Sequence, residues 1–204
     1  MNLIVQDKDF SCRTKDHFWF QEVKQAILAI VNEGYTLKDV ERECKENNFF
    51  DAASPSRARE IWLAVHRRLE NTPTEFLEFF TRQNVEDQKL LVLILILNED
   101  RTFFEFMNNV YKEKLIVGDD ELLDSQILGF IHDIQNTEPR AASWTDASMK
   151  KMRTNMKGIM RDSGIIRYAD KKMILVRPII TEGFRTFLEG EGQGLMIKIL
   201  AGER

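Results

Sequence analysis

Residues 143–178 constrain the fold more than any other stretch, because a helical pattern there gives way at once to a strand–turn–strand pattern. Apolar side chains first recur at steps of three and four residues, which is the spacing of one face of an amphipathic helix. After Gly164, a residue typical of a helix end, two short apolar runs flank the polar turn at residues 169–172. The pattern predicts a helix followed by a β-hairpin, with the apolar helix face formed by Met149, Met152, Met156, Ile159 and Met160.

The same stretch is strongly basic, although the chain as a whole is not. Residues 148–177 carry nine Lys and Arg against two acids, a net charge of +7, whereas residues 1–147 sum to −10 and residues 178–204 to −1. A basic helix followed by a basic hairpin is the arrangement of a winged helix-turn-helix, in which the helix enters the major groove and the hairpin contacts the neighbouring backbone. The alternative is that the lysines only solvate an exposed helix. The candidate contacts are Lys150, Lys151, Arg153, Thr154, Lys157 and Arg161 on the helix and Arg167, Lys171 and Lys172 on the hairpin.

Residues 1–71 predict an N-terminal unit of three short helices with helix-turn-helix character. We expect these helices at residues 17–34, 36–46 and 54–70. Ser54 followed by Pro55 has the pattern of an N-cap and a first helical residue. The third helix is then the candidate for a second nucleic-acid contact, and the competing interpretation is that its arginines only solvate a helix packed in a bundle. The arginines concerned are Arg57, Arg59 and Arg68.

Residues 72–118 predict apolar helices at the centre of the molecule. The run LLVLILIL, residues 90–97, fits a buried strand or a buried helix by its length and composition, but no partner strand of similar strength lies nearby. We therefore interpret it as a central helix surrounded by other helices. In the next helix Phe103 and Phe106 recur at helical spacing, which favours core positions over a stacking platform.

Residues 119–188 predict a winged-helix-like unit, and residues 189–204 a tail. Acidic residues 119–121 are expected to open a helix that runs to about residue 135, since acids suit a helix N-terminus. Its apolar face would cover the methionine stripe through Leu123, Ile127, Phe130, Ile131 and Ile134. The tail contains LMIKIL, for which a terminal strand and a partner-dependent element stay open. The expected fold is mainly α, a helical bundle with a small C-terminal β-hairpin, and the four segments are also compatible with one compact body.

Several classes of protein do not fit the sequence. The first ten residues carry acids within a short apolar run and lack the small-residue site of a signal peptide. The longest apolar run has eight residues, too few to span a bilayer. Two distant cysteines without CxxC spacing indicate reduced thiols and a cytoplasmic protein. Isolated histidines and the absence of nucleotide-binding or nucleophile motifs predict no enzyme, no metal, no cofactor and no small-molecule substrate.

Three stretches together resemble the BrxA family of BREX (bacteriophage exclusion) systems, which restrict phage in bacteria. They are NNFFDAASPSRAREIWLAVHRRL, then LLVLILIL with RTFFEFMNNVYKEKL, and finally WTDASMKKMRTNMKGIMRDSGII with MILVRPIIT. The resemblance covers residues 19–188 and rests on patterns rather than on invariant catalytic residues. It implies an all-helical protein of helix-turn-helix character, similar to the RNA-binding antitermination factor NusB, that binds DNA without catalysis.

We therefore expect a double-stranded DNA-binding component of a phage-defence system, which contacts mainly phosphates because few of its candidate side chains read base edges. Other BREX proteins are candidate partners. Two alternatives stay open: a NusB-like RNA-binding protein, and an interaction subunit that does not contact nucleic acid. Single-strand binding favours exposed aromatic side chains, and the basic segment offers only Tyr168.

Overall fold

The computed structural model describes residues 5–204 and is mainly α-helical. A short 3-10 turn, Val5–Asp7, precedes the first helix. The helices of the first half are α1 (Phe20–Glu33), α2 (Leu37–Glu46), α3 (Pro55–Leu69), α4 (Thr74–Thr81) and α5 (Val85–Glu99). The second half contains α6 (Arg101–Phe106), α7 (Lys112–Val117), β1 (Glu121–Leu122), α8 (Asp124–Thr137), α9 (Asp146–Asp162), β2 (Ile166–Ala169), β3 (Lys172–Leu175), α10 (Glu182–Gly190) and α11 (Gly194–Ala201).

Local capping fixes where the N-terminal helices begin. The Ser54 hydroxyl accepts a hydrogen bond from the backbone N–H of Arg57, with Pro55 at the first position of α3. Thr36 and Asp39 form a reciprocal capping box at the start of α2. These two starts, which were predicted from the sequence, are confirmed.

Helix α5 is the centre of the core. Each residue from 90 to 97 is at most 4% exposed, so the helix is covered on all sides, by α1, α3, α4 and α6 among others. A helix that is apolar all round belongs in the interior, and the predicted central helix is confirmed. The buried side chains of the four predicted segments, for example Val23, Leu93, Met156 and Leu200, belong to one continuous hydrophobic core.

Helices α6 and α7 are joined by a π-helical turn, Met107–Tyr111. That turn contains Tyr111, whose ring is fully buried and whose hydroxyl donates a hydrogen bond of 3.0 Å to the carbonyl of Val176. The bond ties the chain leaving β3 to the central helices.

The three strands form an antiparallel sheet in the order β1-β3-β2. Strands β2 and β3 are the predicted hairpin, which pairs Tyr168 with Met173 and turns at Asp170 and Lys171, both with positive φ. Strand β1 corrects the prediction that residues 119–121 open a helix. Leu122 pairs with Met173 and is buried, and the backbone of this stretch completes the sheet edge; the helix begins only at Asp124.

The tail differs from both structures expected for it. LMIKIL lies within α11, a helix that packs against α7 and the π-helical turn. Met196, Ile197, Ile199 and Leu200 are buried, a spacing that matches a helix rather than an alternating strand. Gly202, with φ of 63°, ends the helix in a left-handed conformation that glycine adopts at little cost.

No helix among residues 5–204 is long and apolar enough to cross a membrane. The expectation that the first ten residues are not a signal peptide partly concerns residues 1–4, which lie outside the described residues.

Candidate nucleic-acid surface

Helix α9 presents its methionine face to the core and its basic face outward. Thr145 caps the helix by accepting a hydrogen bond from the backbone N–H of Ser148, at 3.2 Å. The five apolar residues predicted to face inward are at most 3% exposed. Helix α8 packs against α9 with Ile127, Ile131 and Ile134 buried. Leu123 corrects the predicted partner face, since it precedes α8 and is 48% exposed.

Four of the predicted contact residues on α9 and the hairpin are exposed cations that form no salt bridge within residues 5–204. Two lie in the first turns of α9, one on β2 and one at the hairpin tip. Because no acid pairs with them, these side chains are available to an anionic partner. We call them the free cations: Lys150, Lys151, Arg167 and Lys171.

Other predicted contacts are paired with acids from neighbouring elements. Asp124, the first residue of α8, lies 2.6 Å from Nζ of Lys157 and 3.4 Å from a guanidinium nitrogen of Arg153. Asp162 pairs with Arg161 at 2.8 Å. Paired cations contribute less net attraction to phosphate than the free cations do.

The hairpin shows the same division between a paired and a free cation. Glu121 of β1 pairs with Lys172 at 2.8 Å, and the hydrogen bond from the Lys172 ammonium to Glu121 raises the pKa of that lysine. Its neighbour Lys171 is exposed and forms no salt bridge with the described residues. Thr154, also predicted as a contact, is exposed and donates its hydroxyl to the carbonyl of Lys150 at 3.0 Å.

A cleft of about 710 Å³ runs along the basic face of α9. We call it the basic cleft. One wall is the chain segment from Thr14 to Phe18, which Asn155 fixes by donating a hydrogen bond of 3.1 Å to the carbonyl of Asp16. The hairpin contributes Tyr168 at the other side. The α9 residues with cationic side chains that line it are Lys150, Lys151, Arg153, Lys157 and Arg161.

The arginines of α3 occupy three different environments. Arg68 is 2% exposed and donates to the carbonyls of Phe18 and His17 at 2.7 and 2.6 Å, so its assignment as a nucleic-acid contact is corrected: the side chain lies inside the protein. Arg57 pairs with Glu60 and lies near Arg161 in a second groove. Arg59 is exposed in a separate groove between α2 and α3, away from the basic cleft.

Several polar residues at these grooves were missed by sequence reasoning, among them His17 and Lys89. His17 lines both the basic cleft and the second groove, and Lys89 lines the second groove. His17 precedes α1 in a stretch without periodicity, and Lys89 precedes an apolar run that dominates its neighbourhood. Only the tertiary contacts bring these side chains to α9.

The described residues contain no group of three or more His, Cys, Asp or Glu side chains arranged to hold a metal ion. Both cysteines are free thiols. Burial raises the pKa of the Cys44 thiol to about 12, with further contributions from Glu41 and Glu43. At neutral pH this sulfur is a protonated apolar group rather than a nucleophile.

The fold and this surface define a mainly helical protein with one core and a basic helix–hairpin face. The chain belongs to the BrxA family, whose profile matches residues 11–192, and the resemblance read from the sequence is confirmed. The curated relative "BREX protein BrxA" of Bacillus cereus (strain H3081.97) is 28% identical over 184 residues, which is 90% of this chain and 92% of the relative.

The fold also matches a solved structure. "Crystal structure of an uncharacterized protein from Magnetospirillum magneticum" superposes with a TM-score of 0.78, covering 96% of this chain and all (100%) of that one. The sequence identity is 14%, so the similarity concerns the fold alone.

Proposed function

We propose that this chain is a BREX phage-defence component that binds double-stranded DNA through α9 and the β2–β3 hairpin. Its family membership and its B. cereus relative support the BREX assignment. We further propose that its role is binding rather than catalysis, and that it acts in the cytoplasm with other BREX proteins as candidate partners.

The observation that carries DNA binding is that the free cations lie on two consecutive elements, α9 and the hairpin, and form no salt bridge with the described residues. Lys150 and Lys151 lie at the start of α9, where a recognition helix contacts a duplex, and Arg167 and Lys171 lie on the hairpin beside it. Net charge of +7 in residues 148–177, within a chain of net charge −4, favours a polyanion as partner.

The order of elements supports the same proposal. Strand β1, helices α8 and α9, and the β2–β3 hairpin follow one another, and β2 contacts α9 at the edge of the sheet. We interpret this as a winged helix-turn-helix, with α8 as the supporting helix and α9 as the recognition helix. Because the exposed side chains are mainly lysines, the contacts would be mainly to phosphates.

The test is a fluorescence-anisotropy titration of a labelled duplex with wild-type protein and with Lys150→Ala/Lys151→Ala. The expected result is a loss of affinity of about tenfold or more, since two phosphate contacts are removed. Lys38→Ala/Lys198→Ala is the matched control, because both are exposed lysines that form no salt bridge with the described residues and lie outside both grooves. Equal affinity of the two double variants for the duplex would contradict the proposal.

Competition identifies the class of nucleic acid. Unlabelled duplex DNA is expected to displace the labelled duplex more effectively than an RNA hairpin of the same length. Stronger displacement by RNA would support the NusB-like alternative instead. Co-purification with other BREX proteins that survives nuclease and high salt, together with no duplex binding, would support an interaction subunit.

A further inference from the structure

A second groove, of about 560 Å³, continues from the basic cleft across the end of α9. The two grooves share His17, Phe18, Arg161 and Asp162, so they form one continuous surface. We call the second one the aromatic groove. Its aromatic lining residues come from the start of α1 and the segment before it: His17, Phe18, Trp19 and Phe20.

The aromatic groove combines these rings with cations from three other helices. The Arg57 guanidinium lies 4.3 Å from the ring centroid of Trp19, and Nζ of Lys89 lies 6.0 Å from that of Phe20. Arg161 of α9 completes the set. Lys89 forms no salt bridge with any residue that the structure describes.

Two acids also line the aromatic groove. Asp162 is neutralised by Arg161 at 2.8 Å, which leaves Glu22 as the second acid among its lining residues. Against these stand Arg57, Lys89 and Arg161, of which Arg161 is paired with Asp162 and Arg57 with Glu60. The lining side chains of the aromatic groove therefore sum to a charge of +1, three cations against two acids, and Lys89 is the lining cation without a salt bridge to the described residues.

Such a combination fits an unpaired nucleic-acid strand better than a duplex. Single strands offer the flat faces of their bases to aromatic rings while cations follow the phosphates, whereas in a duplex those faces are stacked inside. His17 is exposed, and Tyr168 on the hairpin is 51% exposed. The fold therefore supplies the aromatic residues that the basic segment of the sequence lacks.

We infer that the aromatic groove binds unpaired nucleotides that continue from a duplex held by α9 and the hairpin. The inference rests on the proposed duplex binding and extends it to junctions between duplex and single strand. Arg161 is the point where the strand leaves the duplex, because it is the cation that lines both grooves. His17 offers a ring for stacking, and Lys89 and Arg57 contact the phosphates.

The test compares a blunt duplex of about two helical turns with the same duplex carrying a single-stranded tail of about six nucleotides, a typical single-strand site size. Tails at the 3′ end and the 5′ end are measured separately. For the wild type, one of the tails is expected to increase affinity about tenfold, the gain from stacking about one base. His17→Ala/Lys89→Ala is expected to lose that gain, measured within the variant as the ratio of its affinities for the tailed and the blunt duplex, because His17 also lines the basic cleft.

His132→Ala/Lys38→Ala is the matched control, since both side chains are exposed and lie outside both grooves. It should keep the gain. The inference is overturned if neither tail increases wild-type affinity, or if the gain persists in His17→Ala/Lys89→Ala. Failure of the blunt duplex to bind would overturn the proposed function instead. In that case, binding of a single-stranded oligonucleotide alone would test the aromatic groove. Binding that depends on His17 and Lys89 would support the inference, and binding that does not depend on them, or no binding, would overturn it.

Discussion

Arg67 and Arg68 are neighbouring cations near the end of α3, and their side chains lie in different surroundings. Arg67 is one-third exposed and pairs with Asp16 at 2.6 Å. Arg68 is buried and lies 3.7 Å from Glu99, and burial lowers its pKa to about 10. It donates to two carbonyls of the segment before α1. Arg68 therefore holds in place the segment that forms one wall of the basic cleft.

Arg68→Ala is expected to lower the free energy of unfolding by about 3–5 kcal/mol. The substitution removes one partner of the buried Glu99 and leaves the carbonyls of His17 and Phe18 without their donor. Arg59→Ala on the same helix should change stability by less than about 0.5 kcal/mol, because that side chain is exposed. Urea unfolding measures the free energy of unfolding of both variants. Equal values for Arg68→Ala and Arg59→Ala would contradict the structural role of Arg68.

The titration of Asp100 should be visible in the pH dependence of the free energy of unfolding. Burial raises its pKa from 3.8 to about 6, although the charge of Arg13 and the backbone N–H of Phe103 oppose the shift. Between these two pH values the folded protein binds more protons than the unfolded chain. The contribution of Asp100 to stability therefore falls as pH rises from about 4 to 6.

Asp100→Asn is accordingly expected to raise the free energy of unfolding by about 1–3 kcal/mol near pH 8. The amide oxygen can still accept from Phe103, and Arg13 keeps Asp16 and Glu99 as partners at 2.8 and 3.4 Å. The advantage should shrink near pH 5, where the wild-type carboxyl is largely protonated. Urea unfolding at both pH values checks this; an advantage independent of pH, or a loss of stability at pH 8, would contradict the assignment.

At the scale of elements, α8 and α9 are joined by charge as well as by packing. Asp124 accepts from Lys157 at the basic cleft and pairs with Arg153. A carboxylate at this position competes with phosphate for the same cations. The two helices thus hold an acid against the surface that we propose for DNA.

Asp124→Asn should increase duplex affinity about three- to tenfold at low salt, because two cations lose their intramolecular partner. Asp133→Asn is the control, since it removes the same charge from the same helix at an exposed position. Anisotropy titrations of the two variants compare them directly. An equal increase in both would show a general charge effect and would contradict a local role for Asp124.

Elements whose pattern is local were predictable from the sequence. The methionine stripe, the hairpin and the cap at Ser54 depend on residues a few positions apart. Strand β1 was not predictable, because it forms only where Leu122 meets Met173, far along the chain. Likewise α11 was not predictable, because its apolar residues fit a helix or a strand until the contact with α7 shows which of them are covered.

At the scale of the whole molecule, the candidate surface joins segments that are distant in sequence. The wall of the basic cleft comes from residues before α1, and the aromatic groove adds Arg57 and Lys89. The sequence predicted most of the basic side chains of the candidate surface, but not which of them are free of salt bridges and exposed to a partner. Asp124 pairs with Lys157 and Glu121 with Lys172, and in both pairs the two residues lie far apart in sequence. Arg68 is buried, although nothing in the sequence distinguishes it from a surface arginine.

The central claim is that the free cations bind duplex DNA through its phosphates, and the salt dependence of duplex affinity tests it most directly. Four free cations predict that log K falls with log salt at a slope of about −3.6. In Lys150→Ala/Lys151→Ala two contacts are lost, so the slope should decrease in magnitude to about −1.8. A slope unchanged by this substitution, or no duplex binding even at low salt, would contradict the claim.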